Sequence, residues 1–69
     1  MDENVKISTE YIKLDQLLKF AGAAAIGSEA KTLIAEGKVR VNGEICTMRG
    51  KKIRSGDVVS LNGKDISVE

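Results

Sequence analysis

The chain has 69 residues, 42% of them apolar and 30% charged, with eleven Lys and Arg against ten Asp and Glu for a net charge of +1. A chain this short makes one domain around one small core, which excludes a bilobal enzyme with an enclosed active site, and its apolar share excludes a disordered tail. There is no histidine, the single cysteine has no partner for a disulfide within the chain, and no stretch approaches the roughly 20 apolar residues of a membrane span.

In chain order, the opening MDENVKIS carries two acids before its first lysine and does not read as a signal peptide, so the expected setting is the reducing cytoplasm. Val5-Lys6-Ile7 alternates and predicts an edge strand. Leu14, Leu17, Leu18 and Ala21 recur at i, i+3, i+4 and i+7, the stripe of an amphipathic helix that Gly22 ends. Phe20 flanks this stripe and is expected in the core. Ser28 has the chemistry of an N-cap for a second helix over Glu29 to Glu36, with Gly37 just past its end and Ala30, Leu33 and Ile34 as its buried stripe.

From Lys38 the period changes to two. Val39 and Val41 alternate with Lys38 and Arg40, Asn42-Gly43 is a strong hairpin signal, and Glu44-Ile45-Cys46 is the return strand. Ser55-Gly56-Asp57 then turns into Val58–Leu61, and a second Asn-Gly pair, Asn62-Gly63, leads into Lys64–Val68. The expected fold is α+β: two helices packed on a small, mainly antiparallel sheet of four or five short strands.

The near-neutral total hides a polarised chain. Residues 31–54 hold Lys31, Lys38, Arg40, Arg49, Lys51, Lys52 and Arg54 against only Glu36 and Glu44, a local balance of +5, while the remainder is −4. With Val39 and Val41 facing inward, Lys38 and Arg40 share the outer face. Lys31, Ala35 and Lys38 fall at i, i+4 and i+7, so a basic line is expected along the second helix and off its end. Polyanion affinity comes from counterion release summed over several cations, and interspersed carboxylates would cancel it. A solvated surface is the bland account of such a window. Against it stand the near-exclusion of acids and the origin of the cations in helix, strand and loop. The aromatics, Tyr11 and Phe20, lie outside the window, which favours recognition of a folded or duplex nucleic acid by shape and backbone over base stacking.

Catalysis and cofactors are not expected. Cys46 is the one strong nucleophile, no histidine can activate it, and in a strand it reads as a small buried hydrophobe. Asp57 and Asp65 sit near turns, where carboxylates bond local backbone amides. Zinc-ligand spacing and a phosphate-binding glycine loop are both missing.

The runs Lys13-Leu14-Asp15-Gln16-Leu17-Leu18, Ser28-Glu29-Ala30-Lys31-Thr32-Leu33-Ile34 and Gly37-Lys38-Val39-Arg40-Val41-Asn42-Gly43 together resemble the RNA-binding domain named after ribosomal protein S-four. Arg54-Ser55-Gly56-Asp57-Val58-Val59 resembles that family's closing turn and strand, so the likeness covers about residues 13–61 of a single domain spanning 1–69. The resemblance implies an L-shaped element of two helices and a hairpin, and an RNA rather than a DNA partner, a choice the charge pattern alone does not make. It implies structured RNA, ribosomal RNA or tRNA, in ribosome assembly or translation, with a ribosomal particle as a further partner. With little chain outside the module, the nearest likeness is to stand-alone bacterial members.

Carried over by position, Lys13 stands where the family opens its first helix with arginine, Lys31 at its basic position on the second helix, and Lys38 and Arg40 around the first hairpin strand. The expected RNA-binding set is therefore Lys13, Lys31, Lys38 and Arg40, supported by Arg49, Lys51, Lys52 and Arg54. Gly27 departs from the pattern, standing where many members have an arginine. A monomer is expected. Two other classes remain open at this point: a protein-interaction adaptor solubilised by its basic loop, and a helix-turn-helix DNA binder, for which the Gly22–Gly27 gap is long.

Overall fold

The computed structural model describes residues 2–69. Its elements are β1 (Asp2–Val5), β2 (Ile12–Lys13), α1 (Leu14–Phe20), α2 (Gly27–Ala35), β3 (Val39–Val41), β4 (Glu44–Ile45), β5 (Lys52–Ile53), β6 (Val58–Leu61) and β7 (Lys64–Val68). Five strands form one sheet in the order β1-β7-β6-β3-β4, and β2 pairs with β5 in a separate two-stranded sheet. All pairs are antiparallel except β1 with β7. The fold is the α+β arrangement the sequence implies.

Both hairpins form at the Asn-Gly pairs. Asn42 and Asn62 each have φ 51°, and Gly43 and Gly63 follow at 86° and 79°, the left-handed pair that a two-residue turn requires. Val39, Val41, Val59, Leu61, Ile66 and Val68 point to one side of the sheet, where they meet Leu14, Leu17, Leu18, Ala21, Ala30 and Ile34 from the helices in a single core. Both helices end in the same way. Gly22 donates its N–H to the Lys19 carbonyl and Ala23 to that of Leu18; Gly37 donates to Ile34 and Lys38 to Leu33. These are Schellman ends, and the glycines at φ 76° and 74° are what permit the reversal.

Four expectations are corrected. The N-terminal strand covers Asp2–Val5 rather than Val5–Ile7: its register against β7 buries Val5 beside Val68, and only hydrogen bonds continue beyond it, Ile7 N–H to the Glu69 carbonyl at 3.0 Å. The second helix starts at Gly27 with Ile26 as N-cap, and Ser28 is already inside the first turn, where its carbonyl accepts the Thr32 hydroxyl at 3.0 Å. Phe20 is 71% exposed. At 100° per residue it lies about 110° from the centre of the Leu14-Leu17-Leu18-Ala21 stripe, so it leaves the core by helical geometry. Cys46 lies just past β4 and is half-buried; its N–H still bonds the Val39 carbonyl at 3.0 Å.

The two-residue β2–β5 pair is not legible from periodicity, and it does the most to shape the surface described next. No helix among the described residues is long and apolar enough to cross a membrane.

Candidate nucleic-acid interface

In the β2–β5 pair, Lys13 stands directly opposite Lys52 and Ile12 opposite Ile53. Ile53 is fully buried, which turns Lys13 and Lys52 to the open face. The segment ahead of β5 then crosses the start of α1. Leu14 donates its N–H to the Lys51 carbonyl at 2.9 Å and Asp15 to the Arg49 carbonyl at 3.2 Å. These bonds satisfy two of the amides that a helix start leaves without partners, and they hold Arg49, Lys51 and Lys52 beside Lys13. Four cations from segments far apart in the chain thus share one surface.

Two features refine this cluster. Lys52 Nζ lies 5.0 Å from the centroid of the Tyr11 ring, a cation–π contact, so an aromatic outside the basic stretch of sequence adjoins the basic surface in space. Strand pairing brings it there, and the sequence reading that kept aromatics away from the patch is corrected for Tyr11. Arg54, one residue beyond β5, opens a turn whose geometry is set by Asp57: Asp57 Oδ2 accepts the Arg54 N–H at 2.8 Å.

Asp57 is also tied to the first hairpin. Asn42 Nδ2 donates to Asp57 Oδ1 at 3.1 Å, Asn42 Oδ1 accepts the Val58 N–H at 2.9 Å, and the Asn42 N–H donates to the Val58 carbonyl at 2.7 Å. The Arg54 amide first and the Asn42 side chain second hold the Asp57 carboxyl below its ordinary value of 3.8, against the opposing effect of burial and with help from the charges of Lys51 and Arg54. The sequence marked Asn42 as a turn former; its side-chain role depends on a partner 15 residues away and carries no local signal. Asp57 does bond a local amide, as expected of a turn carboxylate, whereas Asp65 accepts the Ser60 hydroxyl across β6–β7 at 2.8 Å.

The remaining expected residues are distributed differently. Arg40 is exposed between buried Val39 and Val41, and it faces Ile45 on β4 and Ser60 on β6 across the sheet. Lys31 is exposed on α2 beside buried Ala30. Lys38 is not part of a continuous line with Lys31. The helix ends at Ala35, the Gly37 reversal takes Lys38 off the helical path, and its ammonium pairs with Glu36 at 3.4 Å. Gly27 has no atom within 4 Å of where a Cβ would stand.

Between the β3–β4 hairpin and the residues leading to Arg54 runs an open groove of about 560 Å³. Ile45, Cys46 and Met48 line it together with Glu44, Lys51, Lys52, Arg54 and Asp57.

Known proteins share this fold. The family model of the S4 domain matches residues 5–69. The chain is 41% identical over 63 residues to the Bacillus subtilis (strain 168) protein named "Probable ribosome maturation protein RlbA", covering 91% of this chain and 89% of that protein. It is 40% identical over 58 residues to YbcJ of Escherichia coli (strain K12), covering 84% of this chain and 83% of YbcJ. The solution structure of Escherichia coli YbcJ, described as revealing an αL motif involved in RNA binding, superposes with a TM-score of 0.73 at 35% identity over 94% of this chain and 84% of that one. The family model and the fold are thus shared along nearly the whole length: the chain belongs to the S4-domain family.

Proposed function

We propose that residues 1–69 act as one non-catalytic RNA-binding domain that grips structured RNA, ribosomal RNA above all, by its phosphate backbone. Lys13, Arg49, Lys51 and Lys52 form the centre of the contact, Arg54 and Arg40 extend it along the groove and sheet, and Lys31 and Lys38 bind at its helical margin. The observation that carries this reading is the juxtaposition of Lys13 with Lys52 and of the α1 start with Arg49 and Lys51. Two cations directly opposite each other repel, and a surface that keeps such a pair is suited to a polyanion. The name of RlbA and the description of YbcJ support RNA, and ribosome maturation, as the setting. The protein works as a monomer in the cytoplasm, docking on a ribosomal particle or its precursor. Backbone contacts of this kind position the protein and leave sequence choice to the fold of the RNA.

The test is fluorescence anisotropy with a ribosomal RNA hairpin and a DNA duplex of equal charge, titrated in salt, for wild type and for Lys13→Ala/Lys52→Ala. The reading expects preference for RNA and a log–log salt slope shallower by about one per cation removed. Equal or absent binding to both nucleic acids, unchanged in the variant, would overturn it, and absence of binding would bring a protein-interaction adaptor to the front.

A further inference from the structure

The phosphate grip leaves the apolar side of the groove beside β4 without a role. Its walls are unlike the rest of the basic surface: Ile45 and Met48 are 59% and 67% exposed, and both line the same concavity. Scattered exposed apolar residues mean little, but two that bound one groove of about 560 Å³, within the usual range of small-ligand sites, make an apolar slot. Lys51, Lys52 and Arg54 stand along the same groove. Of its two acids, Asp57 has both carboxylate oxygens occupied, by Asn42 Nδ2 and by the Arg54 amide. Glu44 has no ion pair or side-chain hydrogen bond among the described residues and is exposed. An open carboxylate beside three cations opposes a bare phosphate chain, yet it suits an amino group on a base edge, which a carboxylate accepts.

We propose that this groove receives a single unpaired nucleotide of the bound RNA, its base lying against Ile45 and Met48 with an exocyclic amino group donating to Glu44 and its phosphate held by Lys51 and Arg54. The inference rests on the RNA-binding reading above. It adds recognition of a bulged or looped-out base bearing an amino group, cytosine, adenine or guanine in place of uracil, to a surface that otherwise reads shape. Every base presents a flat apolar face, so aliphatic and thioether side chains can take it as aromatic rings do, with a smaller gain.

Three RNA hairpins of identical stem test it: fully paired, with one bulged cytosine, and with one bulged uracil. Wild type should bind the cytosine bulge at least about fivefold more tightly than the paired stem, toward the low end of what base stacking provides. Ile45→Ala/Met48→Ala should erase that advantage while leaving affinity for the paired stem unchanged, and Glu44→Ala should erase the preference for cytosine over uracil. In the wild-type complex, 2-aminopurine at the bulge should brighten as it leaves its RNA neighbours, a readout independent of any variant. No bulge advantage, equal weakening of all hairpins by the double variant, a silent 2-aminopurine, or displacement by micromolar free cytidine monophosphate would each overturn the groove as a site for an RNA-linked nucleotide. Failure of wild type to bind any of the hairpins would instead overturn the RNA-binding reading itself.

Discussion

Asn42 and Asp57 bind each other side chain to side chain at 3.1 Å, and through that bond the tip of the first hairpin is fastened to the turn that presents Arg54. Asn42 therefore serves twice, as the left-handed residue of the turn at φ 51° and as a clamp on Val58 and Asp57. Asn42→Ala loses both, and should cost about 1–2 kcal/mol, the usual range for a lost hydrogen bond combined with a strained backbone position. Asp57→Ala should cost less than Asn42→Ala. In a double-mutant cycle by urea denaturation the two should be non-additive, and strict additivity would mean that the bond contributes nothing.

The same pair makes stability sensitive to acid. The Asp57 carboxyl titrates below 3.8 in the folded protein, so its contribution is complete above 3.8, where the unfolded chain is also ionised, and is lost as pH falls through the lower folded value. The melting-temperature deficit of Asp57→Ala should accordingly be constant near neutrality and shrink at the acid end of a pH series. A deficit that grows on acidification has the wrong sign for this account.

The proposed contact sets binding against stability at Lys13 and Lys52, which stand opposite each other. As like charges in directly opposite positions they repel, so Lys13→Gln should leave stability unchanged or raise it by a few tenths of a kcal/mol, while Lys52→Gln gives up its contact with the Tyr11 ring and should gain less. RNA affinity should fall in both variants. A lysine whose replacement lowers stability and leaves affinity intact would be a packing residue through its aliphatic stem and not a phosphate contact.

Gly27 offers a gain instead of a loss. A Cβ there meets nothing within 4 Å, the backbone is in an ordinary helical start, and glycine is a poor helix former. Gly27→Arg should keep or raise thermal stability, tighten RNA binding and steepen the salt slope by about one. Salt titrations superposing on those of wild type would put this position outside the contact.

Phe20 and Leu17 separate surface from core on one helix. Phe20→Ala should change stability by no more than about 0.5 kcal/mol, whereas Leu17→Ala, which empties a fully buried site, should cost about 2–5 kcal/mol. Calorimetric melting of the two variants decides between the observed exposure of Phe20 and the core position its neighbours suggest.

The residues that proved legible are those whose structure is set within a few positions of themselves. Val39, Val41, Val59 and Leu61 alternate, the two Asn-Gly pairs force tight reversals, and Leu14, Leu17, Leu18 and Ala21 mark a helical stripe, so both hairpins and both helices follow from local chemistry. Ser28 misleads because the capping preference is statistical, and Ile26 with an extended backbone begins the helix without any side-chain cap. The basic residues were countable, but their gathering was not: it depends on β2 and β5, two residues each, paired across a separation no periodicity encodes. Tyr11 reaches Lys52 by that same pairing.

The parallel strand has a further consequence, for the order in which the chain matures. Asp2–Val5 pairs with Asp65–Val68, so β1 must wait for a strand some sixty residues further along the chain before its hydrogen bonds can form. The helices and the first hairpin use nearby partners and can assemble beforehand, while β1 closes the longest loop in the molecule at the greatest entropic cost. Completion of the sheet is therefore a late event, and until β7 emerges the nascent chain carries Val5 exposed on an unpaired strand, open to wrong association for as long as its partner is missing.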